Sequence, residues 1–228
     1  MPSSTPTVDT PWAPLTPAGV AQLLADAGDA RWWLSGGAAI DHWLGSPIRP
    51  RTNIDISTIP ADLAALVAAL PDGCSAWGPG ASGDDDASGA GATALVPFAD
   101  LPDDIDPQPV LVRDDAAGAW VLQINVEDGA PRAWMYKRDP RLTLPWDRAV
   151  LDVDGIPTGA PEVQLVWKAL RPRPEDDVDK DAALPHLSDD ARAFYETALL
   201  RAHPHSTWAI HVRSPFAPAK ASWNRKRP

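Results

Sequence analysis

The stretch that most constrains this chain is Leu34 to Ser57, LSGGAAIDHWLGSPIRPRTNIDIS, where a Gly-Gly turn, a short helix and a carboxylate-bearing strand follow within one compact unit. The apolar run Trp32-Trp33-Leu34 reads as a short buried strand, and Ser35-Gly36-Gly37 lets the backbone turn sharply. Ala38 to Leu44 has helical composition and stops at Gly45-Ser46-Pro47. After the basic loop Ile48 to Thr52, Asn53-Ile54-Asp55-Ile56-Ser57 alternates, which puts Asn53, Asp55 and Ser57 on one strand face. A polar pair one strand step apart beside a Gly-Gly turn can present ligands to a metal-bound phosphate.

The same stretch resembles the signature of the polymerase-β-like nucleotidyltransferase superfamily, and within it the aminoglycoside adenylyltransferase-like branch, which reads roughly W-h-x-G-G-W-A-I-D-x-h-x-G-x-x-x-R-x-H-x-D-h-D-h. Trp33, Gly36, Gly37, Ala39, Ile40, Asp41, Gly45, Arg49, Ile54 and Asp55 fall on that pattern. Arg51 stands at the His, Asn53 at the first metal-binding Asp, and Ala38 at a helix position that is usually Trp. Further on, Trp134 to Arg141 looks like W-h-h-R-R-D-P-R, and Ala160 to Ala169 is similar to the opening of the family's helical half. Arg173 to Asp179 resembles R-P-K-D-E-x-D, and His203 to Trp208 resembles an H-P-G-H-P-W ending.

The resemblance implies an α/β nucleotidyltransferase-like mixed sheet with flanking helices, followed by a mainly helical C-terminal half. The expected boundaries are 15–150 for the first part, with a flexible acidic loop over about 78–109, and 151–212 for the helical part. Segments 1–14 and 213–228 read as disordered from their Pro-rich polar or basic composition. Helices are expected over Ala18–Ala27, Pro60–Leu70, Pro161–Leu170 and Asp189–Arg201, and strands over Val110–Arg113 and Trp120–Glu127.

For function, the resemblance implies transfer of a nucleoside monophosphate from an NTP to a hydroxyl of a small, aminoglycoside-like acceptor. Such chemistry uses Mg2+ ions bridged by carboxylates to stabilise the attacking and leaving oxygens. Of three expected carboxylates the register keeps Asp55 alone, as catalytic and metal-binding residue, with Asn53 and Gln123 at the other two positions. Glu127 shares the Gln123 face but lies about 13 Å along the strand, too far to substitute. An amide oxygen can ligate but brings no charge and cannot act as a base, so adenylyl transfer is expected to be weak or absent. By the same resemblance Ser35, Gly36, Gly37, Arg49 and Lys168 are the nucleotide-binding residues, and Asp176 and Asp179 the acceptor-binding ones. A non-catalytic nucleotide or small-molecule binding protein, and a protein–protein regulatory module presenting apolar surface, stand as alternatives.

A formal charge of −11 disfavours sequence-independent nucleic-acid binding and suits a small cationic ligand. No stretch is long and apolar enough to span a bilayer, so a cytoplasmic protein is expected. A single Cys74 excludes an internal disulfide. The run Asp84-Asp85-Asp86 reads as a solvated loop, and His203, His205 and His211 as packing or surface residues. The acceptor, the preferred base and the oligomeric state are not written in the sequence.

Overall fold

The computed structural model describes residues 6, 7, 9–80, 94–102, 106–130 and 132–213. The chain divides into two compact units, Met1–Ala160 and Pro161–Pro228. The expected acidic run Asp84 to Asp86 and the tail from residue 214 lie outside the described residues.

The first unit opens with α1 (Pro17–Leu23), where Thr16 Oγ1 accepts from the Gly19 amide and Pro17 occupies the first turn. There follow β1 (Trp32–Ser35), α2 (Gly36–Leu44), β2 (Asp55–Thr58), α3 (Pro60–Ala68), β3 (Cys74–Pro79) and β4 (Leu95–Pro97). The unit continues with β5 (Val110–Asp114), β6 (Ala119–Val126), β7 (Gly129–Ala130), β8 (Ala133–Tyr136), β9 (Asp139–Pro145), α4 (Trp146–Ala149), β10 (Val150–Val153) and β11 (Ile156–Gly159). Eight strands form one mixed sheet in the order β10-β11-β1-β2-β6-β5-β3-β4, and β7-β8-β9 form a separate small sheet. The β1–β11 and β2–β6 pairs are parallel and the others antiparallel. The mixed sheet with flanking helices agrees with the expected fold class.

The core follows from the alternation of the central strands. Leu34, Ile56, Leu122 and Ile124 are fully buried and pack with Val20, Leu24, Leu63 and Leu66 from α1, its C-terminal turn and α3. Each such side chain contributes about 1.5–3 kcal/mol on leaving water. Trp33 faces Trp146 at 5.5 Å between ring centroids, and the Arg31 guanidinium lies 4.1 Å from the Trp146 ring centre.

Three expectations are corrected. Residues 11–15, read as part of a disordered arm and its exit, run beside β6 instead: the Ala13 and Leu15 amides donate to the Trp120 and Val121 carbonyls, and the Trp120 amide to Pro11. Above Gln123, β6 has no β2 partner, so the arm satisfies backbone groups that would otherwise lie open. Second, β4 and a 3-10 turn (Phe98–Asp100) fall inside the segment read as a loop. Third, the β10–β11 hairpin belongs to the sheet, so the unit boundary falls at Ala160/Pro161 rather than at 150/151.

The second unit holds α5 (Pro161–Lys168), α6 (Pro174–Ala183), α7 (Asp189–Ala202) and α8 (Thr207–Arg213), with a 3-10 turn at Leu184–His186. Within it α7 packs against α5 and α8, and buries Ala191, Tyr195, Ala198 and Leu199. The expected helical C-terminal part is therefore present. No helix among the described residues is long and apolar enough to cross a membrane.

Candidate functional site

Strand register assembles the centre. Ser35 pairs with Asp55 across the antiparallel β1–β2 ladder, and Asp55 pairs with Gln123 across the parallel β2–β6 ladder. Ser35, Asp55 and Gln123 thus stand in one row over three strands, each about 4.8 Å from the next at the backbone. Asp55 and Gln123, forecast from sequence to share a centre, are neighbours. Asn53 precedes β2 rather than lying in it, and its Nδ2 donates to Asp55 Oδ1 at 2.6 Å. Gln123 Nε2 donates to Asn125 Oδ1 at 3.0 Å, along the half-buried face of β6.

The two glycines each have a definite task. Gly36 opens α2 with φ +62°, a conformation that favours glycine, and a Cβ there would lie 2.8 Å from Asp55 Oδ2 and push the carboxylate aside. A Cβ on Gly37 would run into the Arg51 guanidinium. That guanidinium is held by Asp41 in the next turn of α2, Nε to Oδ2 at 2.8 Å and Nη2 to Oδ1 at 2.6 Å. The Ile48 amide also donates to Asp41 Oδ1, at 3.2 Å. Asp41, the paired Arg51 and Gly37 therefore fasten the 46–53 loop to α2, a bidentate fork that lysine could not reproduce. The side-chain hydroxyl of Ser35 is buried and makes no hydrogen bond.

The Ser35–Asp55–Gln123 row supplies one carboxylate. Mg2+ wants several hard anionic oxygens in octahedral geometry. Here an amide N–H group is directed at the one carboxylate of the row, and the residue across the strand is neutral. Among the described residues no three of His, Cys, Asp and Glu gather in ligating range. Glu127 lies beyond the end of β6, buried, and accepts from Trp134 Nε1 at 2.6 Å, so it serves the small sheet. Its neighbour Tyr136 has a hydroxyl whose pKa is pushed well up by burial.

Beside α2 the structure opens a cavity of about 430 Å³ that no sequence reading located. Arg49 and Asn53 line it, with Ala38, Leu15 and Ile54 among its apolar walls. Ser35, Gly36, Asp55 and Gln123 are not among its lining residues. Of the expected nucleotide-site residues, Arg49 lines the cavity, whereas Gly36 and the Ser35–Asp55–Gln123 row do not.

The remaining expected site residues meet in the second unit. Lys168 Nζ at the end of α5 lies 2.7 Å from Asp176 Oδ1 and 3.0 Å from Asp179 Oδ2 on α6. Asp176 also accepts from the Arg173 amide and from its guanidinium, both at 3.0 Å, closing the N-terminus of α6. Burial raises the Asp176 carboxyl, but the hydrogen bonds from Arg173 and Lys168 outweigh it and hold the pKa at about 2. Asp179 is fully buried. Lys168, forecast as a phosphate ligand, and Asp176 and Asp179, forecast as acceptor ligands, are thus engaged with one another.

No family model and no curated protein matches the chain. Among solved structures it is similar to the solution structure of the antibiotic-resistance factor ANT(2'')-Ia, at 14% identity and a TM-score of 0.45 over 78% of this chain and 88% of that one. It is also similar to the crystal structure of ANT(2'')-Ia in complex with adenylyl-2''-tobramycin, at 14% identity and a TM-score of 0.48 over 82% of this chain and 99% of that one. Neither likeness bears on what this chain does.

Proposed function

We propose that the chain is a nucleotidyltransferase-type protein that keeps a nucleotide-binding centre around Gly36, Gly37 and Asp55 and has lost most of its capacity for transfer to a small acceptor. The reading rests on the motif order in the sequence together with the Ser35–Asp55–Gln123 row. The observation that carries it is the 2.6 Å hydrogen bond from Asn53 to Asp55, where a working centre would set a second carboxylate. Two adjacent carboxylates repel until a cation bridges them, whereas an amide beside a carboxylate is satisfied without one. In this reading the first-turn amides of α2 and the Arg49 guanidinium would contact phosphate.

Calorimetric titration of the full chain with ATP, with and without Mg2+, tests the reading. Binding is expected to be weakly dependent on Mg2+ in the natural sequence and to become strongly dependent in Asn53→Asp/Gln123→Asp. Transfer to an aminoglycoside acceptor that needs Mg2+ and disappears in Asp55→Ala would refute the loss of transfer. No ATP binding in either protein would refute the nucleotide centre. The protein–protein alternative gains nothing from the tryptophans, since among the described residues the exposed large apolar side chains are Val178, Leu200 and Ile210.

A further inference from the structure

We infer that the cavity beside α2 is a binding site for a small apolar monoanion, of which a medium-chain carboxylate is the simplest, with its head on the Arg49 guanidinium and its hydrocarbon along the walls. The volume of about 430 Å³ lies within the range of small-molecule sites. Apolar surface comes from Leu15 on the docked arm, Ala38 on α2 and Ile54 before β2, with Pro14, Pro47 and Pro50 beside them. The prolines bring no backbone N–H that an apolar occupant would leave unpaired.

The sign of the head group follows from which wall charges are already spent. Asp41 lines the cavity, but its oxygens accept from Arg51 Nε and Nη2 and from the Ile48 amide. That pair is neutral as a unit and its side chains are only 11% and 14% exposed. The carbonyls that close α2 are also taken, His42 by the Gly45 amide and Asp41 by the Ser46 amide, each at 3.1 Å. The charges outside the pair are Arg49, half-buried, and Asp154, exposed at the tip of the β10–β11 hairpin. Water screens the exposed carboxylate, whereas the half-buried guanidinium acts through a lower effective dielectric, up to about four times as strongly at equal distance. The field inside the cavity is therefore positive on balance. A guanidinium carries five N–H donors in a planar fork, so it grips a carboxylate while keeping a backbone partner such as the Pro50 carbonyl, 3.5 Å from Arg49 Nη1. An anionic head on Arg49 is the same chemistry as its phosphate contact in the nucleotide reading, and the cavity walls point to it whether or not a nucleotide binds.

Calorimetric titration of the full chain with octanoate, its uncharged isostere octanamide, and butanoate tests the site. Saturable one-to-one binding of octanoate is expected, at least about tenfold tighter than octanamide through the head and at least about tenfold tighter than butanoate through the chain. Arg49→Met, which keeps hydrocarbon and removes the charge, is expected to lower the octanoate affinity to that of octanamide. The formal charge of −11 on the whole chain repels anions, so a preference for the carboxylate would not come from non-specific attraction. Octanamide or butanoate matching octanoate overturns the proposal, as does unchanged octanoate binding by folded Arg49→Met or no saturable binding at all. Should that variant not fold, amide spectra of the natural sequence decide. Octanoate-induced shifts at Ala38 and the Asn53 side-chain amide support the site, and shifts confined elsewhere overturn it.

Discussion

Replacing Lys168 by Met separates a structural from a ligand-binding role for a residue that sequence alone assigns to phosphate. The lysine side chain is 11% exposed and its two carboxylate partners 4% and 0%, so the ion cluster is held out of water. Removing one member of such a cluster costs about 3–5 kcal/mol, because the remaining charge loses its partner and does not regain hydration. Arg173 still holds Asp176, so the lower end of that range, about 3 kcal/mol, is expected. That is a large part of the roughly 5–15 kcal/mol that stabilises an ordinary domain. Urea unfolding at pH 7, followed by the fluorescence of Trp167 and Trp208, measures it. Lys168→Met/Asp179→Leu is expected to recover most of the loss, since apolar groups of similar size replace a buried ion pair at little cost. A single variant within about 1 kcal/mol of the natural protein, or a double variant no more stable than the single, would refute the reasoning.

Two other outcomes are expected. The Asp176 pKa of about 2 lies below its ordinary carboxylate value, so its contribution is complete above about pH 4 and is lost as pH falls toward 2. Asp176→Asn should flatten that acid limb by roughly 2 kcal/mol in a pH series of unfolding curves, and an unchanged slope would count against it. At the other unit, Gly36→Ala should cost about 1–3 kcal/mol through its positive φ and should displace Asp55, whereas Gly118→Ala, with φ +65° and no atom nearer than 3.6 Å, should show the backbone cost alone. Equal loss at both positions would mean that Asp55 does not press on Gly36.

The centre of the fold was legible because its elements carry local signals. Alternation around Ile54 to Ser57 and Leu122 to Val126 gave strands, and the Gly-Ser-Pro breaker closed α2 close to its actual end at Gly45. The adjacency of Asp55 and Gln123 came from motif order and was realised as a parallel register. The arm at Pro11 to Leu15 was not legible, since its pairing depends on a stretch of β6 left free by the shortness of β2. The β10–β11 hairpin carries a local signal in Asp154-Gly155, both at positive φ, between Leu151-Asp152-Val153 and Ile156-Pro157-Thr158. At the site, sequence separation hid the partnerships. Asp41 with Arg51, and Lys168 with Asp176 and Asp179, meet only once loops close, and no spacing rule marks a cavity lined from separate segments.

The docked arm also bears on colloidal behaviour. An uncovered stretch of β6 would be a short template of open amides and carbonyls flanked by Trp120 and Val121, the kind of surface on which a second chain can add a strand. Residues 11–15 act as a built-in cap on that template. A truncation past Leu15 would expose it, and the shortened protein would be expected to form light-scattering assemblies at concentrations where the longer chain stays clear.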